Sequence, residues 1–109
     1  KIERDRKQYQ NEKSTAKELT SNRWKKFRRM IILMDNAECR RCLIKLHKHT
    51  YDNLTIQHIK PRAIHPELMY DVDNCVTLCQ TCNNYLGLRG LDFEWSPENR
   101  KNLFDDYVI

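Results

Sequence analysis

The chain has no long hydrophobic run. Its longest, Met30 to Met34, is five residues, far short of the roughly 20 that a membrane-spanning helix requires. No apolar stretch near its start reads as a secretory leader; together these absences lead to the expectation of a soluble, cytoplasmic protein with no membrane partner. The cysteines number five, so a set of disulfides would leave one over, and a reducing setting is expected. There is no internal repeat and no low-complexity segment, and only two glycines and three prolines occur in 109 residues. The length fits one domain.

A domain of this size buries only about 60–70% of the surface its unfolded chain exposes, so its core calls for a staple. A structural metal is the expected one, since zinc contributes on the order of 10–16 kcal/mol in small zinc peptides. The net charge of +5 is divided unevenly: residues 1–48 carry 15 Lys/Arg against 6 Asp/Glu, and residues 49–109 carry 5 against 9. The basic front half is the electrostatic footprint of a nucleic-acid partner.

Residues 1–20 alternate charges, have few apolar positions and contain no glycine or proline, which reads as a frayed helix or a basic arm. From Ser21, a plausible N-cap, Trp24, Phe27, Ile31 and Met34 recur at helical spacing and predict a helix that Asp35-Asn36 ends. Residues 43–58 read as β, with Leu54 to His58 alternating after a turn signal at Asp52-Asn53. Pro61 and Pro66 open a loop of about a dozen residues, long enough to suggest function. A second strand over Cys75–Leu78 and a helix over Gln80–Leu88, stopping near Gly87 or Gly90, follow. Ser96 and Pro97 announce a last helix burying Leu103, Phe104, Tyr107 and Val108. The expected division is an N-terminal arm or frayed helix over 1–20, a folded domain over 21–95 and a C-terminal helix over 96–109.

Two C-x-x-C pairs, Cys39/Cys42 and Cys79/Cys82, bracket a lone His58. Four thiolates at that spacing predict a closed tetrahedral zinc site whose job is scaffolding, with Cys75 left as a buried apolar thiol. In that order Trp24-Lys25-Lys26-Phe27-Arg28, Cys39-x-x-Cys42, Gln57-His58-Ile59-x-Pro61, Asp73-Asn74 and Leu78-Cys79-x-x-Cys82-Asn83 resemble the HNH nucleases, in particular small bacteriophage members. The resemblance covers about Trp24 to Gly87. It implies an α+β fold, a ββα-metal (HNH, or His-Me finger) core stapled by one structural zinc and flanked by helices. It also implies that His58 matches the catalytic histidine, Asn74 the central asparagine, and Asn83 the last motif position, which binds a catalytic Mg²⁺, Mn²⁺ or Ni²⁺. Asn74 is implied to hold His58 in place through backbone hydrogen bonds.

These roles suit phosphodiester hydrolysis. A neutral imidazole takes a proton from water near neutral pH, and a hard cation neutralises the leaving 3′-oxygen. Family members place an acid or histidine before the catalytic histidine; here the residue is Gln57, offering a carbonyl oxygen without charge. Asp73, Asp71 and His65 are the nearest candidates for a further ligand. Gln57 and His58 share a site only if the strand ends there, because strand neighbours face opposite ways. Lys25, Lys26, Arg28, Arg29, Arg40 and Arg41 are the expected contacts to the DNA backbone, and Lys60 and Arg62 could hold phosphates beside the site. The expected function is metal-dependent nicking or cleavage of double-stranded DNA by a monomer or weak dimer. The phage resemblance adds a role beside the packaging terminase, in the host cytoplasm. The rival is a zinc-stapled DNA-binding module with weak or no catalysis.

Overall fold

The computed structural model describes residues 2–100. Its helices are α1 (Ile2–Glu18), α2 (Asn22–Met34), α3 (Arg40–Leu46) and α4 (Gln80–Leu86), and its strands are β1 (Leu54–His58) and β2 (Cys75–Cys79). The strands pair antiparallel, from Leu54 opposite Cys79 to His58 opposite Cys75. With α4 leaving directly from β2, the core is a ββα unit. No helix among the described residues is long and apolar enough to cross a membrane.

β2 is buried at all five positions and touches α2, α3 and α4 as well as β1, so it forms the spine of the molecule. Ser21 caps α2, its hydroxyl accepting from the Trp24 N–H at 3.0 Å, and turns Trp24 and Ile31 into the core. Among the described residues β2 has one strand neighbour, so its other edge needs partners. Side chains supply them: the Thr77 N–H donates to Asp35 Oδ2 at 2.9 Å, and Arg100 donates to the Cys75 carbonyl. Arg100 and Asp35 form a buried ion pair at 2.8 Å. The edge is therefore closed by a charge pair reaching from the end of α2 and from beyond residue 96.

The predicted β character of residues 43–53 is corrected: 43–46 belong to α3, 47–53 form an irregular connection, and the strand begins at Leu54. The reason is the cysteine pair itself. Cys39 is the N-cap, its Sγ accepting from the Cys42 N–H at 3.4 Å, which starts a helical turn. His47, at φ +55°, ends the helix in the left-handed region. Ser96 caps a single 3-10 turn over Pro97–Asn99; the helix expected to bury Leu103, Phe104, Tyr107 and Val108 lies outside the described residues. The long loop between the strands contains two further 3-10 turns, Pro66–Leu68 and Val72–Asn74.

Helix α1 packs on that loop. Asn11 Nδ2 donates to the Ala63 carbonyl at 3.1 Å, Arg62 donates to Thr15 Oγ1 at 2.8 Å and pairs with Glu12 at 3.0 Å, and Tyr70 donates to Glu18. Thr15 is buried by this docking.

Candidate functional site

At the Leu54–Cys79 end of the ladder the four cysteines converge. Their sulfurs all lie within 4.8 Å of one another, with Cys42 Sγ 3.8 Å from Cys79 Sγ and 3.6 Å from Cys82 Sγ. Sulfurs at about 2.3 Å around a tetrahedral zinc would be separated by about 3.8 Å, so the donor set fits such an ion. All four are buried, at 0–6% exposure. Among the described residues, His, Cys, Asp and Glu side chains converge in this way only here. Cys75 lies apart from the cluster, fully buried, and burial pushes its thiol up to about 12.

Arg40 and Arg41, expected at the DNA backbone, are instead buried at 8% exposure each. Arg41 makes a bidentate pair with Asp92, Nε to Oδ1 at 2.9 Å and Nη2 to Oδ2 at 3.0 Å, and donates to Cys82 Sγ at 3.4 Å. Asp92 is held down to about 2, chiefly by that bond to Arg41. Arg40 donates to the Asp35 carbonyl. Arg41 thus braces the cysteine cluster, and a positive charge beside a sulfur favours the thiolate form that ligates metal. Arg28 is also engaged internally, donating to the Leu54 carbonyl at the start of β1. Lys25, Lys26 and Arg29 are exposed along α2.

A cleft of about 660 Å³ opens between the core and α1 and runs from Asn83, beside Thr55, to His58 at the far end of the ladder. His58, Gln57 and Asn83 all line it. Gln57 and His58 reach one cleft because β1 stops at His58 and the chain bends toward Pro61. His58 Nε2 lies 3.0 Å from the Met69 carbonyl oxygen. A carbonyl only accepts, so Nε2 carries the proton and Nδ1 keeps the lone pair. The ring lies 5.3 Å from that of Trp24. Burial, then the Arg62 charge, holds the imidazole below its usual pKa of 6.5 against the opposing bond to Met69.

Asn74 is buried and spans the loop: Oδ1 accepts from the Lys60 N–H at 2.8 Å, and Nδ2 donates to the carbonyls of Lys60 at 3.2 Å and Leu68 at 3.3 Å. The Ile59 N–H also donates to the Asn74 carbonyl at 2.8 Å. The backbone on both sides of the His58–Met69 bond is thereby fixed.

The two amides are held by their nitrogens. Gln57 Nε2 donates to the Gly87 carbonyl at 3.0 Å, and Asn83 Nδ2 donates to Thr55 Oγ1 at 2.7 Å. Among the described residues neither side-chain carbonyl oxygen is taken up by a hydrogen bond, and oxygen is the donor a hard cation takes. None of Asp71, Asp73 and His65 lines the cleft: Asp71 accepts from the Asp73 N–H, and His65 pairs with Glu67. The acid that does line it is Glu12, from α1. Sequence reasoning missed Glu12 because a charged residue in a polar helix carries no sign of what lies across from it. Arg62 borders the cleft with its guanidinium committed to Glu12 and Thr15, whereas Lys60 is exposed.

Residues 39–88 match the model of the HNH endonuclease family. No curated protein matches the chain significantly. Among solved structures the chain is similar to the HNH endonuclease of the deep-sea thermophilic bacteriophage GVE2, crystallised with a manganese ion. The two share 27% identity at a TM-score of 0.64, covering 74% of this chain and 86% of that one. The ββα core with its four-cysteine cluster is the HNH, or His-Me finger, endonuclease fold.

Proposed function

We propose that this chain, carrying the HNH fold, is a divalent-metal-dependent endonuclease that nicks duplex DNA. One observation carries the reading: His58, Gln57 and Asn83 border a single cleft, with the lone pair of the imidazole on Nδ1. His58 takes a proton from water at Nδ1, and its lowered basicity keeps it neutral and able to accept near pH 7. Met69 fixes the ring, and Asn74 fixes the two backbone segments that carry His58 and Met69. Gln57 Oε1 and Asn83 Oδ1 would hold Mg²⁺, Mn²⁺ or Ni²⁺, which would supply charge neutralisation at the leaving 3′-oxygen. The four cysteines would hold a zinc ion, which would anchor the start of α4, on which Asn83 follows Cys82.

One such centre cuts one strand, so a monomer nicks, and double cleavage needs a dimer or two encounters. Exposed Lys25, Lys26, Arg29 and Lys60 supply contacts to phosphates. The likeness to a phage nuclease supports a place beside a phage packaging terminase.

The test is nicking of supercoiled plasmid with Mg²⁺, Mn²⁺ and Ni²⁺ in turn, for the parent chain and His58→Ala at equal zinc content. Nicking by the parent and its loss in the variant support the reading; equal rates remove His58 as the base. The rival, a DNA-binding module without chemistry, is favoured by the absence of a carboxylate at positions 57 and 83. It requires plasmid to stay intact in every metal while binding persists.

A further inference from the structure

The cleft has a wall that the ββα core does not supply. Gln8, Tyr9 and Glu12 of α1 border the same space as His58 and the two amides. Three of the large apolar side chains that the fold leaves in solvent are also on its rim: Tyr9 at 58% exposure, Ile64 at 55% and Leu88 at 84%. Isolated exposed apolar residues need no explanation, but three around one polar floor form a surface of a particular kind. The floor suits a phosphodiester, and the rim suits the flat apolar faces of the bases attached to it.

The wall is built to stay in place. Four polar links tie α1 to the loop that carries Pro61 to Tyr70, from Asn11, Glu12, Thr15 and Glu18. They also spend the Arg62 guanidinium, so the cleft reaches for phosphate with less positive charge than its sequence promises. Lys13 Nζ lies over the Tyr9 ring, 4.9 Å from its centroid, so a cation covers one face of the ring and a base would stack on the other. A base stacked in an intact duplex has both faces covered and offers nothing to such a rim.

Resting on the nuclease reading above, we infer that α1 is the second wall of the substrate cleft and that Tyr9 stacks on a nucleobase next to the cut phosphate. The preferred substrate is then DNA in which that base is unstacked, such as a bulge or mismatch in a duplex. Ile64 and Leu88 fill the space the displaced base leaves, as apolar wedges do at kinked base steps.

The experiment measures affinity without cleavage. His58→Ala protein, zinc-loaded and without other divalent metal, is titrated by fluorescence anisotropy into three labelled oligonucleotides of equal length: a perfect duplex, the same duplex with one bulged adenine, and the single strand. The bulged duplex is expected to bind roughly ten-fold more tightly than the perfect one. Adding Tyr9→Ala should erase the difference, while Tyr9→Phe, keeping the ring, should preserve it. Zinc content and helical circular dichroism confirm that each variant is folded. Equal affinity for the perfect and bulged duplexes, or a preference that survives Tyr9→Ala, overturns the inference. So does tight binding confined to the single strand, which would make duplex context irrelevant. Plasmid nicking is scored separately: a bulge preference without nicking keeps this recognition and removes the chemistry, and nicking without a preference does the reverse.

Discussion

At one end of the β1–β2 ladder Leu54 faces Cys79 beside four buried sulfurs; at the other His58 faces Cys75 beside an open cleft. Four rungs separate them, about 13 Å at the usual strand rise. The sulfur end is closed: its ligands are buried, its arginines are buried and paired, and its surroundings are satisfied by protein. The cleft end is open: its imidazole keeps a lone pair, its amides keep their oxygens, and its rim carries apolar groups in water. Rigidity is thus placed at one end of a short ladder, and the reactive cleft runs along it from Asn83, which follows Cys82 and bonds Thr55, to His58 at the other end. The two sites are separable by mutation, because stability should respond to the sulfur cluster and chemistry to the cleft.

The largest expected effect comes from emptying the sulfur end. A domain of this size is stable by about 5–15 kcal/mol, and structural zinc is worth on the order of 10–16 kcal/mol, so metal removal exceeds the reserve. Chelation, or Cys82→Ser, should abolish cooperative thermal unfolding and most helical circular dichroism. A chelated chain that still melts cooperatively near the temperature of the untreated protein would mean that the cluster is not the staple.

Next in size is the loss of the imidazole. His58→Ala should lower the nicking rate by about a hundred- to ten-thousand-fold and leave zinc content at one per chain. The pH dependence has a definite sign. Burial lowers the folded-state pKa of His58 below 6.5, so the neutral, accepting form persists in mildly acidic solution, and the acid limb of the rate profile should fall below pH 6.5. By the same linkage the unfolded chain binds the proton more readily. The stability contributed by a neutral His58 is complete above pH 6.5 and is lost as pH falls through the lower folded value. A rate profile with its acid midpoint above 6.5 would contradict the lowered basicity.

Smaller, and opposite in direction, is the effect of Gln57→Asp. It places a carboxylate at a cleft position that holds a neutral amide, at the cost of the bond to the Gly87 carbonyl. The Mg²⁺ concentration giving half-maximal nicking should fall at least roughly ten-fold, equivalent to about 1.4 kcal/mol of cation binding. An unchanged requirement would place the cation away from residue 57.

How much of this was legible in the sequence differs between the two ends for a physical reason. The sulfur end is written locally: C-x-x-C spacing is a ligand geometry, and thiol pairs have few other uses in a reducing setting. Ser21 and both strands were legible for the same reason, since caps and short β-branched or apolar runs bounded by turn signals are local rules, whereas Asn74 was singled out only through the family resemblance. Residues 43–46 were misread because Leu43-Ile44 suits either element, and the deciding factor was the cap supplied by Cys39. Arg40 and Arg41 were misread because charge alone does not distinguish a phosphate contact from an internal brace; the partner of Arg41 is Asp92, 51 residues on. The cleft wall was illegible altogether. Nothing within α1 reports that Asn11 and Thr15 meet a loop some 50 residues away.

The smallest effect separates the arginines from the lysines. Each phosphate contact contributes about 0.9 to the slope of log affinity against log salt. Lys26→Gln and Arg29→Gln, on the exposed face of α2, should each reduce that slope by about that amount and leave the melting temperature nearly unchanged, as surface substitutions do. Arg41→Gln should do the opposite, keeping the slope while lowering the melting temperature, because its guanidinium is turned into the protein between Asp92 and a cluster sulfur. The arginine-rich C-x-x-C turn is thereby separated from the basic helix ahead of it, although the two look alike as charge. Should Arg41→Gln reduce the salt slope while melting as the parent does, the closed end of the ladder would be a DNA-facing surface, and the division between a rigid end and a reactive end would fail.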